Sequence, residues 1–291
     1  MKNPKPANPQ SVSTSTKPTW CPGCFNFQIL AGMKNFLANE IKSGKKKDDF
    51  AIVAGIGCHA KIFDYVNLNG LNTLHGRVLP TCLGIKVGNP NLNVFGFSGD
   101  GDAYAEGIEH LIHAARYNAD FKYIVHDNQV FALTVGQPTP TTETGFKDKT
   151  TPRGVKLHPI NPIKLMLASG ATFIARVFAD VKQIEWILSE AMKHKGFAFI
   201  EVLQPCIIFH PDSGYKNKVY SLEETGHDKT NFNKAWKKAE EFDYETISEK
   251  TRIPTGVFYQ NPDSKNRVFE EQFPQLAELK KKNLSWKDIK R

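Results

Sequence analysis

The chain has 291 residues, which is long enough for a sizeable core in one large or two small domains. Its net charge is +8, and 40% of its residues are hydrophobic. No apolar run approaches the ~20 residues of a membrane span, and the polar N-terminal residues lack the apolar core of a signal peptide; we therefore expect a cytoplasmic protein without membrane contact. The lysines cluster in loops and tails without interleaved aromatic residues, which argues against nucleic acid and leaves a solvated surface or an acidic partner.

The chain begins with an arm, a cysteine pair and a helix. Residues 1–19 are rich in proline and polar residues, which predicts a disordered or partner-wrapping arm. Cys21 and Cys24 form a Cys-x-x-Cys motif, which is typical of a redox dithiol, of half a zinc site or of half an iron–sulfur site. A redox motif usually follows a strand, whereas this one opens a helix that we expect over residues 26–41.

Two further polar segments precede the centre of the chain. A short strand over residues 51–54 ends in a Gly-Ile-Gly-Cys sequence, which places Gly57 and Cys58 at the carboxyl end of a strand. His75 and Arg77 lie just before the central motif and are able to donate hydrogen bonds to a diphosphate. The alternative is that both are ordinary surface-loop residues.

The centre of the chain is a strand, a turn, a helix and a second strand. An apolar strand over 94–97 ends in Ser-Gly-Asp-Gly-Asp (98–102). Apolar residues at helical spacing then predict a helix over 104–117, and a second strand follows over 121–125. Because crossovers of this kind join parallel strands, we expect an α/β fold with a parallel sheet.

The polar residues of this unit fall at the carboxyl ends of the strands, where open parallel sheets bind their ligands. Asp100 and Asn128 each follow a predicted strand, and Gly99 and Gly101 allow the backbone to approach a ligand closely. The start of the helix offers free N–H groups to an anion. A carboxylate and an amide oxygen beside a phosphate site suit Mg²⁺, which takes few protein ligands and keeps phosphate oxygens and water.

The rest of the chain repeats the crossover pattern and then becomes irregular. A loop over 138–145 is expected to cover the site. Helices over 160–169 and 181–193 alternate with strands over 171–177 and 197–203, and Cys206 follows the last strand. From residue 210 onward the sequence is polar, with one helix expected near residues 234–242. We therefore divide the chain into an arm (1–19), a ligand-binding domain (20–210) and a C-terminal extension (211–291).

Asp100 and Asn128 are 28 residues apart (128 − 100), and with the intervening helix and strand this arrangement resembles the thiamine diphosphate motif. In that family the aspartate, the asparagine and the backbone carbonyl two residues further on bind Mg²⁺. Carried over, these are Asp100, Asn128 and the backbone of Val130. The resemblance implies the pyrophosphate-binding domain of the thiamine diphosphate-binding fold, with a doubly wound parallel sheet. For the Gly-Asp-Gly motif by itself, a structural turn is the alternative.

The five cysteines divide into two groups. Cys82 has apolar neighbours and is expected to be a small buried residue. Each of the other four, Cys21, Cys24, Cys58 and Cys206, lies beside a glycine or proline in a loop, and a disulfide framework is not expected in a chain of this kind. Four thiolates suit Zn²⁺ or a 4Fe–4S cluster, and the sequence alone does not choose between them. A neighbouring thiamine site favours the cluster, because a redox cluster takes electrons from the cofactor-bound carbanion and zinc does not.

Taken together, the motifs resemble those of the beta subunits of 2-oxoacid:ferredoxin oxidoreductases. The matching segments lie within residues 20–145, with Pro205-Cys206 in addition: WCPGC (20–24), GIGC (55–58), HGR (75–77), LPTCLGIK (79–86), GDGD (99–102), HLIHAARYN (110–118), DNQVFALTVGQ (127–137) and PTT (140–142). The resemblance implies thiamine diphosphate, Mg²⁺ and one 4Fe–4S cluster, with Cys21, Cys24, Cys58 and Cys206 as cluster ligands. The implied cofactor contacts are Gly57, Cys58, His75, Arg77, Gly99, Asp100, Gly101, Asp102, Asn128, Val130, Leu133 and Thr134.

The implied reaction is the coenzyme A-dependent oxidative decarboxylation of a 2-oxoacid to acyl-CoA and CO₂, with electrons leaving through the cluster to ferredoxin or flavodoxin. No catalytic residue is assigned to this chain, because the resemblance places the pyrimidine-binding domain and its activating carboxylate on an alpha subunit; gamma and delta subunits are further candidate partners. One alternative is a non-redox thiamine diphosphate-dependent decarboxylase or synthase subunit, which would not need four loop cysteines. The other is a non-enzymatic metal-cluster scaffold, which leaves the spacing of Asp100 and Asn128 unexplained.

The sequence departs from the family pattern at four positions, none of which is a metal or cluster ligand. Cys82 stands where alanine is frequent, Glu109 where asparagine is usual and Tyr117 where arginine is usual. Val135 stands where many members have lysine or glycine, at a position that bears on the choice of oxoacid. Its apolar side chain favours a substrate without a second carboxylate.

Overall fold

An eight-stranded sheet forms the centre of the structure, a computed structural model that describes residues 8–211, 215–245 and 248–281. The described strands are β1 (Phe50–Ala54), β2 (Asn69–Asn72), β3 (Asn93–Gly99), β4 (Lys122–Asp127), β5 (Val130–Phe131), β6 (Gln137–Pro138), β7 (Phe173–Phe178), β8 (Ala198–Leu203), β9 (Val219–Ser221) and β10 (Ile253–Gln260). Of these, β5 and β6 pair with each other in a separate two-stranded sheet. The α-helices are α1 (Asn26–Lys42), α2 (Ile62–Tyr65), α3 (Val78–Gly88), α4 (Ile108–Tyr117), α5 (Pro162–Ala168), α6 (Val181–Lys193), α7 (Phe232–Ala239) and α8 (Pro274–Lys281). Among these described helices, none is both long and apolar enough to cross a membrane.

The order of the strands in the sheet is β2-β1-β3-β4-β8-β7-β10-β9. From β2 to β7 all neighbouring strands are parallel, whereas β10 pairs antiparallel with β7 and carries β9 as a parallel edge strand. The chain runs outward from β1 to β2 on one side and from β3 to β4 on the other. The point at which its direction switches therefore lies between β1 and β3, where doubly wound sheets bind their ligands.

Helices cover both faces of the sheet, which explains why β1, β4, β7 and β8 are buried along their whole length. The apolar residues of α1 and α6 form one core with one face of the sheet, and those of α3, α4, α5 and α7 form a second core with the other face. At Gly32, α1 and α6 approach so closely that an added Cβ would lie 2.6 Å from Cβ of Ile184. The doubly wound fold expected from the sequence is confirmed.

Two helical segments differ from the sequence-based expectation. Helix α3 begins directly after Arg77, in a segment for which the sequence had suggested no helix. The helix expected over 104–117 is interrupted: a π-helix spans Gly101–Glu106, and α4 begins after Gly107. The backbone is crowded at this break, since a Cβ on Gly107 would lie 2.9 Å from the carbonyl oxygen of Asp102. Short π-helical turns are frequent at functional sites.

Described segments near both ends of the chain pack against its middle. In the N-terminal segment Val12 is buried, and its carbonyl accepts a hydrogen bond from the backbone N–H of Asn67 at 2.8 Å. Residues 1–7 of the expected arm lie outside the described residues. In the C-terminal extension, β10 joins the central sheet beside β7. Our sequence analysis missed this strand because Pro254 and Gly256 interrupt its apolar pattern.

Candidate active site

A cleft opens at the carboxyl ends of β1, β3 and β4, at the switch point of the sheet. Its walls come from the segments after these strands and from His75. The lining residues are Ile56, Gly57, Cys58, His59, His75, Gly99, Asp100, Gly101, Asp102, His126, Asn128, Val130, Phe131, Ala132, Leu133 and Thr134. The structure thus brings together every expected cofactor contact except Arg77. That residue is exposed, and its Nη1 donates to the carbonyl oxygen of Glu106 at 3.2 Å.

Asp100 is held at the end of β3 by two hydroxyl groups. Thr139 and Thr141 donate to its Oδ2 atom at 2.5 and 3.2 Å. The carboxyl is 2% exposed, and this burial raises the pKa of Asp100 to about 6 although the hydrogen bonds oppose the shift. Within the described part of the chain, no cationic side chain forms an ion pair with Asp100. The environment therefore orients a buried carboxylate without neutralising its charge.

A second buried carboxylate lies beside the first, at the end of β4. The Oδ1 atom of Asp127 accepts from the Thr141 hydroxyl at 2.9 Å, whereas its Oδ2 atom has no hydrogen-bond partner among the described residues. Burial and the neighbouring Asp100 raise the pKa of Asp127 well above its usual value. Gln129 follows with a left-handed φ of 60°, and Asn128 accepts from the backbone N–H of Val130 at 3.1 Å. The Asp100 carboxylate and the Asn128 amide oxygen, which both line the cleft, are donors that fit Mg²⁺.

The Asp102 carboxylate contacts residues of two other segments that line the cleft, one with His59 and one with His75 and Gly76. Its Oδ1 atom accepts from the backbone N–H of Gly76 at 2.6 Å and lies 3.3 Å from Nδ1 of His75. Its Oδ2 atom lies 3.5 Å from Nε2 of His59. Burial opposes the charge on Asp102, but hydrogen bonding to His59 and the charge of that ring outweigh burial and lower the pKa of Asp102. The carboxylate therefore fixes two histidines at the cleft.

The His59 ring is packed between two backbone segments that have room only for glycine. A Cβ on Gly57 would lie 2.9 Å from this ring, and a Cβ on Gly99 would lie 2.8 Å from it. Gly101 is similarly confined, because an added Cβ would lie 2.1 Å from the Phe131 ring. Steric contact at the cleft, rather than turn geometry alone, thus accounts for the glycines that the sequence pattern emphasised.

Four cysteines lie in one region next to the cleft. Burial raises the pKa of Cys58 to about 11, and the charges of Cys24, Cys206 and Cys21 add to this shift, which shows that the four thiols lie within electrostatic range of one another. Phe209 donates its backbone N–H to Sγ of Cys206 at 3.4 Å. Across residues 8–211, 215–245 and 248–281, no three His, Cys, Asp or Glu side chains are arranged to hold a single metal ion.

The fifth cysteine behaves as expected from its apolar neighbours. Cys82 is fully buried in the core formed by α3, α4 and the sheet, and this burial raises the pKa of its thiol. Several polar residues of the site were not expected from the sequence: His59, His126, Asp127, Thr139 and Thr141. The threonines carried one usable signal, since hydroxyl residues are concentrated in the loop that was expected to cover the site.

Comparisons with known proteins agree with this geometry. Residues 55–202 match the family described as "Thiamine pyrophosphate enzyme, C-terminal TPP binding domain", and residues 213–278 match the family described as the C-terminal part of the pyruvate ferredoxin oxidoreductase beta subunit. The fold and the cleft are thus those of a thiamine diphosphate-binding domain. Together with the relatives described in the next paragraph, these matches show that the chain belongs to the family of 2-oxoacid:ferredoxin oxidoreductase beta subunits. Members of this family are subunits of oxidoreductases and work together with partner subunits. The resemblance drawn from the motifs is confirmed.

The chain is 41% identical over 255 residues to the "2-oxoacid:ferredoxin oxidoreductase subunit beta" of Saccharolobus solfataricus, covering 83% of this chain and 81% of that protein. It is 42% identical over 197 residues to the "2-oxoglutarate synthase subunit KorB" of Archaeoglobus fulgidus, covering 67% and 72% of the two chains. A solved 2-oxoglutarate:ferredoxin oxidoreductase from Magnetococcus marinus, with 2-oxoglutarate, coenzyme A and succinyl-CoA bound, superposes with a TM-score of 0.83 at 30% identity. That similarity covers 97% of this chain and 92% of the other.

Proposed function

We propose that the cleft binds thiamine diphosphate with Mg²⁺, that the four loop cysteines hold a 4Fe–4S cluster, and that the chain takes part in the coenzyme A-dependent oxidative decarboxylation of a 2-oxoacid. Ferredoxin or flavodoxin would receive the electrons. The observation that carries the proposal is the pair of buried carboxylates, Asp100 and Asp127, which lie at neighbouring strand ends without an ion-pair partner in the described structure. A divalent cation relieves their repulsion and in turn attracts a diphosphate.

Each residue of the metal site has a separate task. Asp100 and Asn128 would bind the cation through side-chain oxygens, and Val130 would bind it through its carbonyl. Thr139 and Thr141 hold the carboxylate of Asp100 in place by the hydrogen bonds already present. The metal ligands would thus be largely preorganised, and little side-chain entropy is lost when the cation binds.

The opposite wall of the cleft supplies hydrogen-bond donors for a diphosphate. His75 faces the cleft, and its Nδ1 atom lies 3.3 Å from Asp102; in the doubly protonated ring, Nε2 would donate to a phosphate oxygen. The backbone of Gly99 and Gly101 lines the same cavity. When bound, thiamine diphosphate supplies the carbanion that attacks the keto carbon and allows CO₂ to leave. Ile56 and Leu133 present exposed apolar surface at the cleft, and a partner chain that covers them would exclude water from the reacting centre.

The donor set of the cysteine site fits a four-iron cluster better than a single ion. In such a cluster each thiolate binds a different iron, so the ligands surround the cluster instead of converging on one point. Burial raises the pKa of Cys24 and Cys58 and disfavours free thiolates there, so iron would replace the protons. The nearness of this site to the cleft favours a redox reaction over the non-redox alternative.

Among the described residues that line the cleft, no carboxylate is free to activate the cofactor. The carboxylates among these residues are Asp100 and Asp102; we assign the first to the metal, and the second accepts from the backbone N–H of Gly76 and lies 3.3 and 3.5 Å from the ring nitrogens of His75 and His59. An alpha partner would therefore supply the activating carboxylate. Ile56, Leu133 and Val135 are exposed apolar residues at or next to the cleft, as is expected of a site that a partner chain completes. We further propose that the N-terminal arm and the C-terminal extension contribute to this contact, and that the complex is cytoplasmic.

The test is to prepare the chain anaerobically with and without a co-expressed alpha subunit, both loaded with thiamine diphosphate, Mg²⁺ and iron–sulfide. We expect 2-oxoacid and coenzyme A to produce the electron paramagnetic resonance signal of a reduced 4Fe–4S cluster only in the complex. Turnover by the complex with an iron-free cysteine site would contradict the redox assignment. Oxoacid-dependent cluster reduction in the isolated chain would contradict the partner assignment.

A further inference from the structure

A hairpin with an ordered tip projects from the region of the cysteine site. We define this basic hairpin as residues 143–157. Two backbone hydrogen bonds close it, from Gly145 to Val155 at 2.8 Å and from Val155 to Phe146 at 2.9 Å. At its tip, the carboxylate of Asp148 accepts from the backbone and hydroxyl groups of Thr150 and Thr151. The segment is therefore a fixed structure that can present side chains in a defined pattern.

The side chains that it presents are mostly cationic. Lys147, Lys149, Arg153 and Lys156 are exposed, and within the described chain none of them forms an ion pair. The carboxylates of the hairpin are already engaged: Asp148 accepts the hydrogen bonds of the tip, and Glu143 pairs with Nε2 of His210 at 2.9 Å. The four positive charges thus outnumber the two carboxylates of the hairpin, Asp148 and Glu143, which leaves a net positive surface typical of one that attracts an acidic partner.

The basic hairpin is attached to the turn that carries Cys206. The backbone N–H of His210 donates to the carbonyl oxygen of Cys206 at 3.0 Å. The same histidine binds Glu143, and its ring centroid lies 5.0 Å from that of Phe146. Ile208 and Leu157 add exposed apolar surface in these two segments. The cationic surface, the apolar side chains and the cysteine site therefore lie on the same part of the molecule.

We propose that the basic hairpin is the docking surface for an acidic electron-carrier protein. The inference rests on the function proposed above and adds the place of contact: the carrier docks beside Cys206 and accepts one electron from the reduced cluster into its own oxidised centre, without any bond being formed or broken. Electrostatic attraction raises the rate of encounter, and the small apolar contact permits rapid release, as in weak redox complexes.

Charge reversal in the assembled complex tests this proposal. One variant combines Lys147→Glu, Lys149→Glu and Lys156→Glu. A matched control combines Lys42→Glu, Lys46→Glu and Lys265→Glu, which make the same charge change with exposed lysines near the amino ends of the parallel strands, opposite the cleft. The primary readout is the dissociation constant for an acidic ferredoxin, measured by biolayer interferometry at several salt concentrations. Reduction of a small redox dye and the resonance signal of the cluster report whether the site itself is intact.

We expect the hairpin variant to weaken ferredoxin binding at least about tenfold and to flatten its salt dependence, with dye reduction and cluster signal unchanged and with the control close to wild type. Equal ferredoxin affinities in wild type and hairpin variant would overturn the proposal. So would an equal loss in the control, which would indicate a general charge effect. A raised KM for coenzyme A with unchanged ferredoxin binding would assign the hairpin to the phosphates of that substrate instead. If the wild-type complex reduces no dye, the proposed function fails, while the binding data still decide the role of the hairpin.

Discussion

Gly55→Ala tests the contacts around Asp102, and Gly84→Ala serves as its control. Only the first substitution places a Cβ against the carboxylate of Asp102. In the structure, a Cβ on Gly55 would lie 1.9 Å from Oδ2 of Asp102. Ordinary van der Waals contact begins near 3.4 Å, so Gly55→Ala requires the carboxylate to move by about 1.5 Å, the difference between the two distances. A displacement of this size breaks the 2.6 Å bond to Gly76 and separates Asp102 from the histidines.

A hydrogen bond to a charged group contributes about 1.5–3 kcal/mol. If Asp102 positions His75 for the diphosphate, Gly55→Ala should therefore lower the affinity for thiamine diphosphate by roughly 10- to 150-fold, at about 1.4 kcal/mol per factor of ten. The matched control is Gly84→Ala. Gly84 lies inside α3, where an added Cβ meets no atom within 4 Å, so alanine should stabilise the helix by about 0.5–1 kcal/mol and leave binding unchanged.

The assay is isothermal titration of thiamine diphosphate into the assembled complex at saturating Mg²⁺, with urea unfolding of each variant in parallel. The reasoning predicts weaker binding only in the Gly55 variant and increased stability only in the Gly84 variant. Wild-type affinity in Gly55→Ala would refute the positioning role of Asp102. A lowered affinity in Gly84→Ala would show that the assay reports on the fold and not on the cleft.

Three further changes test other parts of the structure. Cys58→Ser should remove the resonance signal of the cluster while Cys82→Ala retains it, and loss of the signal in the second variant would mean that the fully buried thiol is a ligand. Val135 is exposed on the loop after the metal site and offers no positive charge to a second carboxylate of a substrate. Val135→Lys should therefore lower the KM for 2-oxoglutarate relative to pyruvate. A preference of the wild type for 2-oxoglutarate would contradict this prediction. Arg176→Met removes the ion-pair partner of the fully buried Glu201, so the free energy of unfolding should fall by about 3–5 kcal/mol. The double variant with Glu201→Leu should recover this stability. An equally unstable double variant would assign the loss to packing.

The sequence predicted the parts of the fold that are set by local pattern. The strands before Asp100 and Asn128 and the helix over 181–193 were recognised because apolar periodicity and strand-end glycines are local signals. The C-terminal strand β10 was missed because its stability comes from pairing with β7, which is distant in the chain. Helix α3 was missed because Gly84 and Pro80 lower its apparent helix propensity, whereas contact with the sheet stabilises it.

The candidate site was predicted in its polar centre and not in its supporting residues. Asp100 and Asn128 follow from spacing, but Thr139 contacts Asp100 across 39 positions of sequence, and no local pattern indicates such a bond. The role of His59 was not predicted for a different reason. This residue follows Cys58 without a motif of its own, and its position in the cleft depends on two glycines that make room for its ring. Arg77 was expected at the cleft from its position beside His75, but its side chain bonds to the backbone of Glu106 instead.

The measurement that tests the central proposal most directly is the Mg²⁺ dependence of thiamine diphosphate binding in the assembled complex, compared between wild type and Asp100→Ala. If Asp100 holds the cation that binds the diphosphate, the wild type should bind the cofactor tightly with Mg²⁺ and lose most of that affinity in chelator. Asp100→Ala should bind it weakly in both conditions, with the resonance signal of the cluster intact. Equal affinity in the variant and the wild type, or wild-type binding that is insensitive to Mg²⁺, would contradict the assignment of this cleft.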